Sequence, residues 1–424
     1  MIDTDDHRIR EFLQEKLMSY LEFLQKMVKI NSFTSNSPGV NQLGLLIAQV
    51  FNSLDFQTEF VQSTNPIYGK HLFLHRGAKI EHGQTFQGSP KETSPSLTLA
   101  CISHLDTVFS PEDEIHNDFH WRKIGDRIYG PGVVDIKGGT AMIFMILDAL
   151  KTLYPIEFEK VNWILCMDAS EEVLSSDFAA FCKDRLPPDT RACLVFEGGT
   201  LNDSSIPLLT ARKGRATFKV EVIGRSAHAG NYHRQGANAI LQIAHTIQAI
   251  QSFTDYDQRL TFNVGTVNGG TVVNRVPHYA EASVEMRALT PSIFKSGFDR
   301  IMALDGSSQV SSFDGFPCKV AVHPIEQTAP WPKNNGTDRL LKIWAESAKD
   351  LDVRINEEER GGLSDGNLLW ESYPTLDGLG PTGANAHCSE RTPDGKKDQE
   401  YVLVSSFVPK ALLDTIAILK LVRE

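Results

Sequence analysis

The feature that most constrains the fold is a series of short apolar segments, each followed at once by a side chain that can bind a metal. Residues 97–102, 163–167 and 193–196 are the three clearest of these segments. Apolar runs of this length are typical of strands buried on both faces, as in a parallel sheet. Open α/β sheets bind ligands beyond the carboxyl ends of their strands. Side chains from distant parts of the chain are therefore predicted to meet at one edge of a sheet.

The first half of the chain follows a pattern of alternating helices and strands. Residues 9–28 and 42–54 carry apolar side chains at helical spacing, which predicts two amphipathic helices. The polar segment 78–96 is predicted to be an exposed loop or hairpin tip. Strands and helices then alternate to about residue 209, the pattern of a mostly parallel sheet flanked by helices.

A second pattern interrupts the first. Residues 216–323 follow the order β-α-β-β-α-β, which is a recognised compact unit. We therefore predict an α/β catalytic domain in residues 1–211 and 324–424, with an inserted ferredoxin-like lid or dimerisation domain in residues 212–323.

Composition excludes several classes of partner. The net charge of -11 argues against nucleic acid or an anionic membrane, because both attract basic surfaces. No apolar run reaches the ~20 residues of a membrane helix, and the acidic N-terminus does not follow the plan of a signal peptide. Cys101, Cys166 and Cys193 lie inside apolar runs, as expected of buried thiols in a reducing compartment. A cytoplasmic protein is predicted.

Two polar motifs in the first half of the chain offer metal ligands. His104 and Asp106 lie on the same side of an extended segment, so the carboxylate can hold the second ring nitrogen of a metal-bound histidine. Asp135 lies between glycine pairs just before a helix predicted at residues 140–150. The alternatives are a structural histidine at residue 104 and a helix N-cap at Asp135.

Three further sites follow in order. Glu171 and Glu172 end one apolar run, Glu197 ends the next, and His387 lies in a late Gly-rich loop. In extended backbone the two adjacent glutamates point in opposite directions, so one could bind a metal while the other faces the reacting group. A solvated charge pair is the alternative. The joint order His-x-Asp, Asp, Glu-Glu, Glu, His predicts a two-metal hydrolase, in which bound water is activated at neutral pH.

This combination resembles the dinuclear zinc exopeptidase and deacylase family, which includes glutamate carboxypeptidase, acetylornithine deacetylase, succinyl-diaminopimelate desuccinylase and aminoacylase. The resemblance spans nearly the whole chain and is closest to glutamate carboxypeptidase, in the segment Gly-Arg-Ser-Ala-His-Ala-Gly and the C-terminal part. It implies two Zn²⁺, although mixed imidazole and carboxylate ligands would also accept Co²⁺ or Mn²⁺. It also implies a cis peptide between Asp135 and Ile136.

The resemblance assigns a role to each candidate residue. It implies His104 and Glu197 on one zinc, Glu172 and His387 on the other, and Asp135 as the bridge. Glu171 would be the general base, and Asp106 would be the partner of the His104 ring.

The resemblance implies five further residues, three of them in the lid. His228 would polarise the scissile carbonyl, while Asn274 and Arg287, thirteen positions apart, would hold a substrate carboxylate together with the turn at Gly361 and Gly362. A polar loop residue is the alternative for His228, and a structural ion pair is the alternative for Arg287. The family also implies a homodimer through the lid, with His228 reaching the active site of the second subunit.

The implied reaction is hydrolysis of an amide beside a free carboxylate, with a small peptide or an N-acyl amino acid as substrate. Carboxypeptidase, N-acyl-amino-acid deacylase and dipeptidase remain alternatives at this point. A binding protein that kept the fold without its chemistry is a different class, and the presence of every ligand and of Glu171 argues against it. A Ser-His-Asp hydrolase is set aside because no Gly-x-Ser-x-Gly elbow is predicted.

Overall fold

The computed structural model describes residues 2–77, 97–175, 177–199 and 205–424. The predicted loop at residues 78–96 lies outside this part of the chain. The chain divides into two compact units, the first comprising Met1–Thr210, Lys333–Glu358 and Ser364–Glu424, and the second comprising Ala211–Pro332 and Glu359–Leu363.

The first segment of the chain supplies most elements of the first unit. Its helices are α1 (Ile2–Val28), α2 (Ser37–Phe51), α3 (Pro111–His116), α4 (Lys137–Leu153), α5 (Pro155–Glu159) and α6 (Phe178–Lys183). Its strands are β1 (Gln57–Gln62), β2 (Lys70–Arg76), β3 (Leu97–His104), β4 (Arg122–Ile124), β5 (Arg127–Tyr129), β6 (Val161–Asp168), β7 (Ala192–Val195) and β8 (Ser205–Arg212).

The middle of the chain forms the second unit. Its elements are β9 (Gly214–Ile223), β10 (Ala227–His228), α7 (Ala239–Gln251), β11 (Thr261–Gly269), β12 (Arg275–Val276), β13 (Tyr279–Ala288), α8 (Pro291–Met302) and β14 (Lys319–Thr328). The remaining elements are α9 (Asn335–Asp350), β15 (Arg354–Arg360), α10 (Gly366–Leu369), β16 (Thr375–Leu376), β17 (Gly383–Ala384), β18 (Tyr401–Leu403) and α11 (Phe407–Arg423).

The main sheet of the first unit has the strand order β1-β2-β6-β3-β7-β16. Strands β6, β3, β7 and β16 are parallel to one another. At one side of the sheet, β2 pairs antiparallel with β6, and β1 pairs antiparallel with β2. All eight residues of β6 are buried, as expected of a continuous apolar run between two layers. Alternate residues of β3 enter different cores: Leu99 and Cys101 pack in the cluster that includes α1, α4 and α11, and Ala100 and Ile102 pack in the cluster that includes α6.

A smaller antiparallel sheet, in the order β17-β18-β5-β4, lies in the same unit. Strand β18 pairs with both neighbours, with Tyr401 opposite Tyr129 of β5 and opposite Ala384 of β17. The turn containing Asp135 follows β5, and the loop containing His387 follows β17. This sheet therefore brings together two segments that are about 250 residues apart in the sequence.

The second unit has the predicted β-α-β-β-α-β arrangement. Its antiparallel sheet has the order β11-β13-β9-β14, and α7 and α8 contribute Ile243, Ile250 and Ile301 to its core. Strands β10 and β12 form a separate two-stranded ribbon. The mostly parallel sheet and this inserted unit confirm the predicted fold class.

Two details of the second unit differ from the sequence prediction. Strand β14 continues to Thr328 past Pro324, because it is an edge strand with a register shift between Pro324 and Glu326 opposite β9. The segment Glu359–Leu363 also belongs to this unit. Within the described ranges, no helix is long and apolar enough to cross a membrane.

Candidate metal centre

The main sheet places four of the predicted side chains at its carboxyl edge. His104 is the last residue of β3 and is 2% exposed. Glu171 and Glu172 follow β6, and Glu197 follows β7. The parallel strands β6, β3 and β7 are neighbours, so these side chains converge as the sequence predicted.

Asp135 and His387 reach the same place from the small sheet. The peptide between Asp135 and Ile136 is cis, as the family resemblance implied. Helix α4 begins after Ile136, which makes no side-chain capping contact. The alternative of Asp135 as an N-cap is therefore not realised, and its carboxylate instead faces two imidazoles.

The two oxygens of Asp135 have different histidine partners. Its Oδ1 lies 3.1 Å from His104 Nε2, and its Oδ2 lies 3.1 Å from His387 Nε2. Glu197 Oε1 lies 3.8 Å from His104 Nε2, and Glu172 Oε2 lies 3.2 Å from His387 Nε2. The five side chains thus form two groups, one on each side of Asp135.

The donor atoms fit a divalent cation. One ligand atom each from His104, Asp135 and Glu172 lies within 4.8 Å of the others, a spacing that could hold a metal ion. Glu172 Oε1 is buried without a hydrogen-bond partner in the described part of the chain. A buried oxygen of this kind is costly unless it is satisfied, and a cation would satisfy it.

The pKa shifts of the clustered side chains also favour a bound cation. Burial raises the pKa of Glu171 well above its usual range, with Glu172 and Glu197 adding to the rise and His104 opposing it. Burial and then the charge of Asp135 raise the pKa of Glu172 to about 7. Hydrogen bonds to Asp135 and Glu172 raise the pKa of His387 to about 11. The cluster holds more buried negative charge than its imidazoles neutralise, which is the charge pattern of a cation site.

Asp106 makes more contacts than the predicted one with the His104 ring. His104 Nδ1 is 3.0 Å from the backbone carbonyl oxygen of Asp106 and 3.5 Å from its Oδ1, so the closer partner of the ring is the carbonyl. The carboxylate also accepts the backbone amides of Glu171 at 3.1 Å and Glu172 at 3.3 Å, and the hydroxyl of Thr34 at 2.7 Å. Asp106 therefore links the His104 segment to the two glutamates.

The backbone at Glu171 and Glu172 also differs from the prediction. These residues begin a 3₁₀ turn, Glu171–Val173, rather than an extended segment. The prediction of extended geometry was wrong because β6 ends at Asp168, before the glutamates. In a turn of three residues, neighbouring side chains still diverge, so the two carboxylates point in different directions for another reason.

Glu400 is a residue at the site that the sequence did not reveal. It is fully buried, and its Oε1 accepts the backbone amides of Val134 at 2.9 Å and Asp135 at 3.3 Å. Burial and then the charge of Asp135 raise the pKa of Glu400 to about 8. The only sequence signal was a carboxylate just before the short apolar run 401–404.

One prediction about serine chemistry needs correction. The segment Gly362-Leu363-Ser364-Asp365-Gly366 has the spacing of a nucleophile elbow, so such a motif is present. Ser364 is buried, however, and its hydroxyl donates to Asp377 Oδ2 at 2.8 Å. An activated serine donates to a histidine base instead. The hydrogen bonding of Ser364 therefore does not support a serine hydrolase.

In the second unit, His228 lies on the two-stranded ribbon and is exposed. Its Nδ1 accepts the backbone amides of Gly230 at 3.1 Å and Asn231 at 3.2 Å. Because Nδ1 is an acceptor, the neutral ring carries its proton on Nε2. Asn274 is exposed next to this ribbon, and its carbonyl accepts the amide of Ala229 at 3.0 Å.

Arg287 lies on β13 and contacts the glycine turn. Its Nη1 donates to the carbonyl of Gly361 at 2.7 Å, and its Nε donates to Glu285 Oε1 at 2.6 Å. Glu285 also accepts from Arg215 Nε at 2.9 Å. The structure therefore brings Arg287 and Gly361 together, and the alternative ion pair of Arg287 is realised with Glu285. The carbonyl of Gly362, next in the turn, accepts from Arg212 Nη1 at 3.1 Å.

Comparison with known proteins gives this geometry a family context. Residues 210–304 match the M20 peptidase dimerisation domain. Carboxypeptidase G2 of Pseudomonas sp. (strain RS-16) is 24% identical over 401 residues, covering 92% of this chain and 86% of that protein. Acetylornithine deacetylase of Buchnera aphidicola subsp. Acyrthosiphon pisum is 23% identical over 290 residues, covering 65% of this chain and 69% of that protein.

The fold comparison agrees. Aminopeptidase PepT from Bacillus cereus superposes with a TM-score of 0.71 at 20% identity, covering 97% of this chain and 99% of that one. The predicted resemblance to the family of zinc exopeptidases and deacylases is thereby confirmed. These relatives are hydrolases, which confirms the coarser prediction of a hydrolase.

Proposed function

We propose that this protein is a dinuclear metal-dependent amide hydrolase that acts next to a free carboxylate, as a glutamate-carboxypeptidase-like metallopeptidase. The observation that carries the proposal is Asp135, whose two oxygens each lie 3.1 Å from a different imidazole. A carboxylate with one oxygen directed to each of two ligand groups is suited to bridging two cations.

The two groups define the ligand sets. His104 and Glu197 would hold one ion, Glu172 and His387 would hold the other, and Asp135 would serve both. Zinc suits these ligands best, and cobalt or manganese would also be accepted. When bound, such ions lower the pKa of water and stabilise the negative charge that develops on a carbonyl oxygen.

Glu171 is the proposed general base. It is half-buried beside the ligands, and its backbone amide is fixed on Asp106 Oδ1 at 3.1 Å. In the reaction, water adds to the amide carbon, Glu171 takes the proton of that water, and the proton passes to the nitrogen as the C–N bond breaks. The products are a carboxylate and an amine. General acid–base transfer of this kind contributes roughly 10²–10⁴ in rate.

The second unit supplies the proposed substrate contacts. His228 Nε2 carries a proton in the neutral ring and can donate it in a hydrogen bond to the scissile carbonyl oxygen. Arg287 can bind a carboxylate through its planar guanidinium, with Gly361 fixing that group at 2.7 Å. Asn274 and Gly362 are the further proposed contacts of the carboxylate.

A small peptide with a C-terminal acidic residue is the proposed substrate. Carboxypeptidase G2 matches 92% of this chain, whereas acetylornithine deacetylase matches 65%. A deacylase acting on N-acyl amino acids and a dipeptidase are the alternatives, because they share the same metal centre and carboxylate site.

A homodimer through the second unit is also proposed. Residues 210–304 match the dimerisation domain. Strand β11 is at the edge of its sheet, with Val267 at 56% exposure, and α7 exposes Ile240 and Leu241. An edge strand beside exposed apolar side chains is a suitable surface for pairing with a second copy.

Metal analysis and a substrate screen test the proposal together. We expect two divalent ions per chain, loss of activity with a chelator, and recovery with Zn²⁺ or Co²⁺. Peptides ending in glutamate, N-acyl amino acids and dipeptides should be compared at equal concentration. Full activity with a single bound ion would disprove the dinuclear site, and a preference for N-acyl amino acids would select the deacylase.

A further inference from the structure

A buried cluster outside the metal centre holds one imidazole between two carboxylates. His71 of β2 is fully buried, with Nδ1 3.1 Å from Asp168 Oδ1 and Nε2 3.2 Å from Asp177 Oδ1. We call these three residues the His71 cluster. The rings of Phe178 and Phe181 lie 5.5 Å from the imidazole and exclude water from that side.

The two carboxylates flank the segment that carries Glu171 and Glu172. Asp168 is the last residue of β6, and Asp177 is the N-cap residue of α6, so His71 contacts both ends of the intervening loop. Asp168 Oδ1 also accepts the amide of Ser170 at 2.9 Å. The position at which the 3₁₀ turn leaves the sheet is therefore set by Asp168.

The far end of the segment is fixed separately. Asp177 Oδ2 accepts the hydroxyls of Ser63 and Thr64, each at 2.9 Å, and its Oδ1 accepts the hydroxyl of Ser175 at 3.1 Å. These contacts tie the segment to the loop between β1 and β2. His71, on β2, contacts both Asp177 of this anchor and Asp168. Ser170 and Ser175 form a second link, with their hydroxyls 3.2 Å apart.

Asp168 also contacts the segment that contains His104. Its carbonyl oxygen accepts the amide of Leu105 at 2.6 Å, directly between His104 and Asp106. Asp106 in turn accepts the amides of Glu171 and Glu172. These hydrogen bonds, joined by the peptide link between Leu105 and Asp106, thus connect Asp168 to both glutamates.

The cluster depends on its histidine energetically. Burying two carboxylates is unfavourable unless polar partners compensate for the lost water. Burial alone would lower the pKa of His71, but the hydrogen bond and charge of Asp168, followed by those of Asp177, raise it above its ordinary value. The two acids therefore oppose the effect of burial on the ring, and replacing the imidazole would remove a polar group that contacts both of them.

We propose that His71 is a positioning residue that sets the orientation of Glu171 and Glu172 by holding Asp168 and Asp177 at the two ends of their loop. The proposal rests on the proposed function, in which Glu171 is the base and Glu172 a metal ligand. It assigns no contact with substrate or metal to His71 itself.

The test compares His71→Gln with a control on the same strand. His75 lies 3.4 Å from Glu59 Oε2 at the other end of β2, so His75→Gln removes a histidine–carboxylate contact away from the loop. Three quantities are measured on the full-length protein: hydrogen exchange of peptides covering Glu171 and Glu172 after chelation, Zn²⁺ affinity by chelator competition, and kcat and KM.

For His71→Gln we expect faster exchange in those peptides, about 10-fold weaker Zn²⁺ binding, and a similar fall in kcat with KM unchanged. His75→Gln should leave all three at the wild-type values. If wild-type protein binds no divalent ion, the proposed function fails, whereas the exchange result still decides the proposal about His71.

Wild-type exchange, affinity and kcat in His71→Gln would overturn the proposal, as would equal losses in both histidine variants. If His71→Gln does not fold, Asp177→Asn is measured instead. That substitution weakens the contact between His71 and Asp177 by changing the acid that also binds Ser63 and Thr64. Unchanged values in Asp177→Asn, or failure of both variants to fold, would mean that the cluster serves folding and not positioning.

Discussion

Glu400 Oε1 accepts the backbone amide of Asp135 at 3.3 Å. The same oxygen accepts the amide of Val134 at 2.9 Å, and the backbone N–H of Glu400 donates to the carbonyl of Cys388 at 2.8 Å, one residue beyond His387. One buried side chain and its backbone therefore connect the segments that supply Asp135 and His387. Groups that orient metal ligands commonly matter to metal affinity almost as much as the ligands do.

Replacing Glu400 should weaken metal binding more when the new side chain has no hydrogen-bond acceptor than when it keeps one. Glu400→Leu removes the acceptor of two buried amides, so we expect Zn²⁺ affinity to fall by about 10–100-fold. Glu400→Gln keeps a carbonyl oxygen that can accept the two amides. Burial already raises the pKa of Glu400 to about 8, so the neutral amide resembles the native side chain. This variant should therefore lose less Zn²⁺ affinity than Glu400→Leu. Chelator competition on both variants checks this. Equal losses in the two variants would mean that charge, and not hydrogen bonding, is what Glu400 contributes.

Arg287→Lys should impair substrate binding more than folding. Lysine cannot reproduce the planar fork that binds a carboxylate, so we expect a clear increase in KM with kcat and Tm close to wild type. Arg215→Lys is the matched control, because Arg215 donates to the same Glu285 at 2.9 Å from β9. If both variants lose stability and keep their KM, the ion pair with Glu285 is the whole role of Arg287.

The sequence predicted the strands well because burial on both faces leaves an unmistakable apolar run. Strand β6, with all eight residues buried, and the positions of His104 and Glu197 followed from such runs. The order of polar residues after the runs was equally informative, because parallel strands present their carboxyl ends at one edge.

The contacts of Asp106, Glu400 and His71 could not be predicted in this way. Each depends on a hydrogen bond between segments far apart in the sequence, such as Val134 with Glu400, and a local pattern contains no such information. The predicted end of strand β14 at Pro324 was wrong because a local rule was applied where the position in the sheet decides. A proline normally ends a strand, but at the sheet edge its missing N–H costs nothing.

A mixing experiment can test whether His228 acts in the site of a second subunit. If it does, a dimer of one His228→Ala chain and one Glu171→Gln chain contains one complete site. Equal mixing and random exchange should then restore about a quarter of wild-type activity in a symmetric dimer. Sedimentation or light scattering must show that the dimers have formed. No recovery in a verified heterodimer would place His228 and Glu171 of one chain in the same site.

The pair Glu59 and Arg185 should contribute stability that depends on pH. A hydrogen bond from Arg185 lowers the pKa of Glu59 to about 2, although burial opposes the shift. Since the folded pKa is below the ordinary value of 4.5, the contribution is complete above pH 4.5 and is lost as pH falls toward 2. Glu59→Gln should therefore be less stable than wild type by about 1 kcal/mol near pH 7.

Urea unfolding of chelated wild type and Glu59→Gln at several pH values measures this difference, which should disappear at low pH. Glu159→Gln is the control, since Glu159 pairs with Arg76 at the surface and is 64% exposed. A difference that stays constant down to the lowest pH would show that Glu59 acts through packing and not through its charge.

Glu171 and Glu172 are neighbours, yet their glutamine variants should fail in different ways. Glu172 Oε2 lies 3.2 Å from His387 Nε2 and its Oε1 is buried without a partner in the described residues, as expected of a ligand. Glu172→Gln should therefore lose one metal and regain part of its activity with added Zn²⁺. Glu171→Gln should keep both metals and bind substrate, while kcat falls by roughly 10²–10⁴, because only the proton acceptor is missing. Metal content and kcat of the two purified variants decide the assignment. Loss of metal from Glu171→Gln, with metal retained in Glu172→Gln, would reverse the two roles.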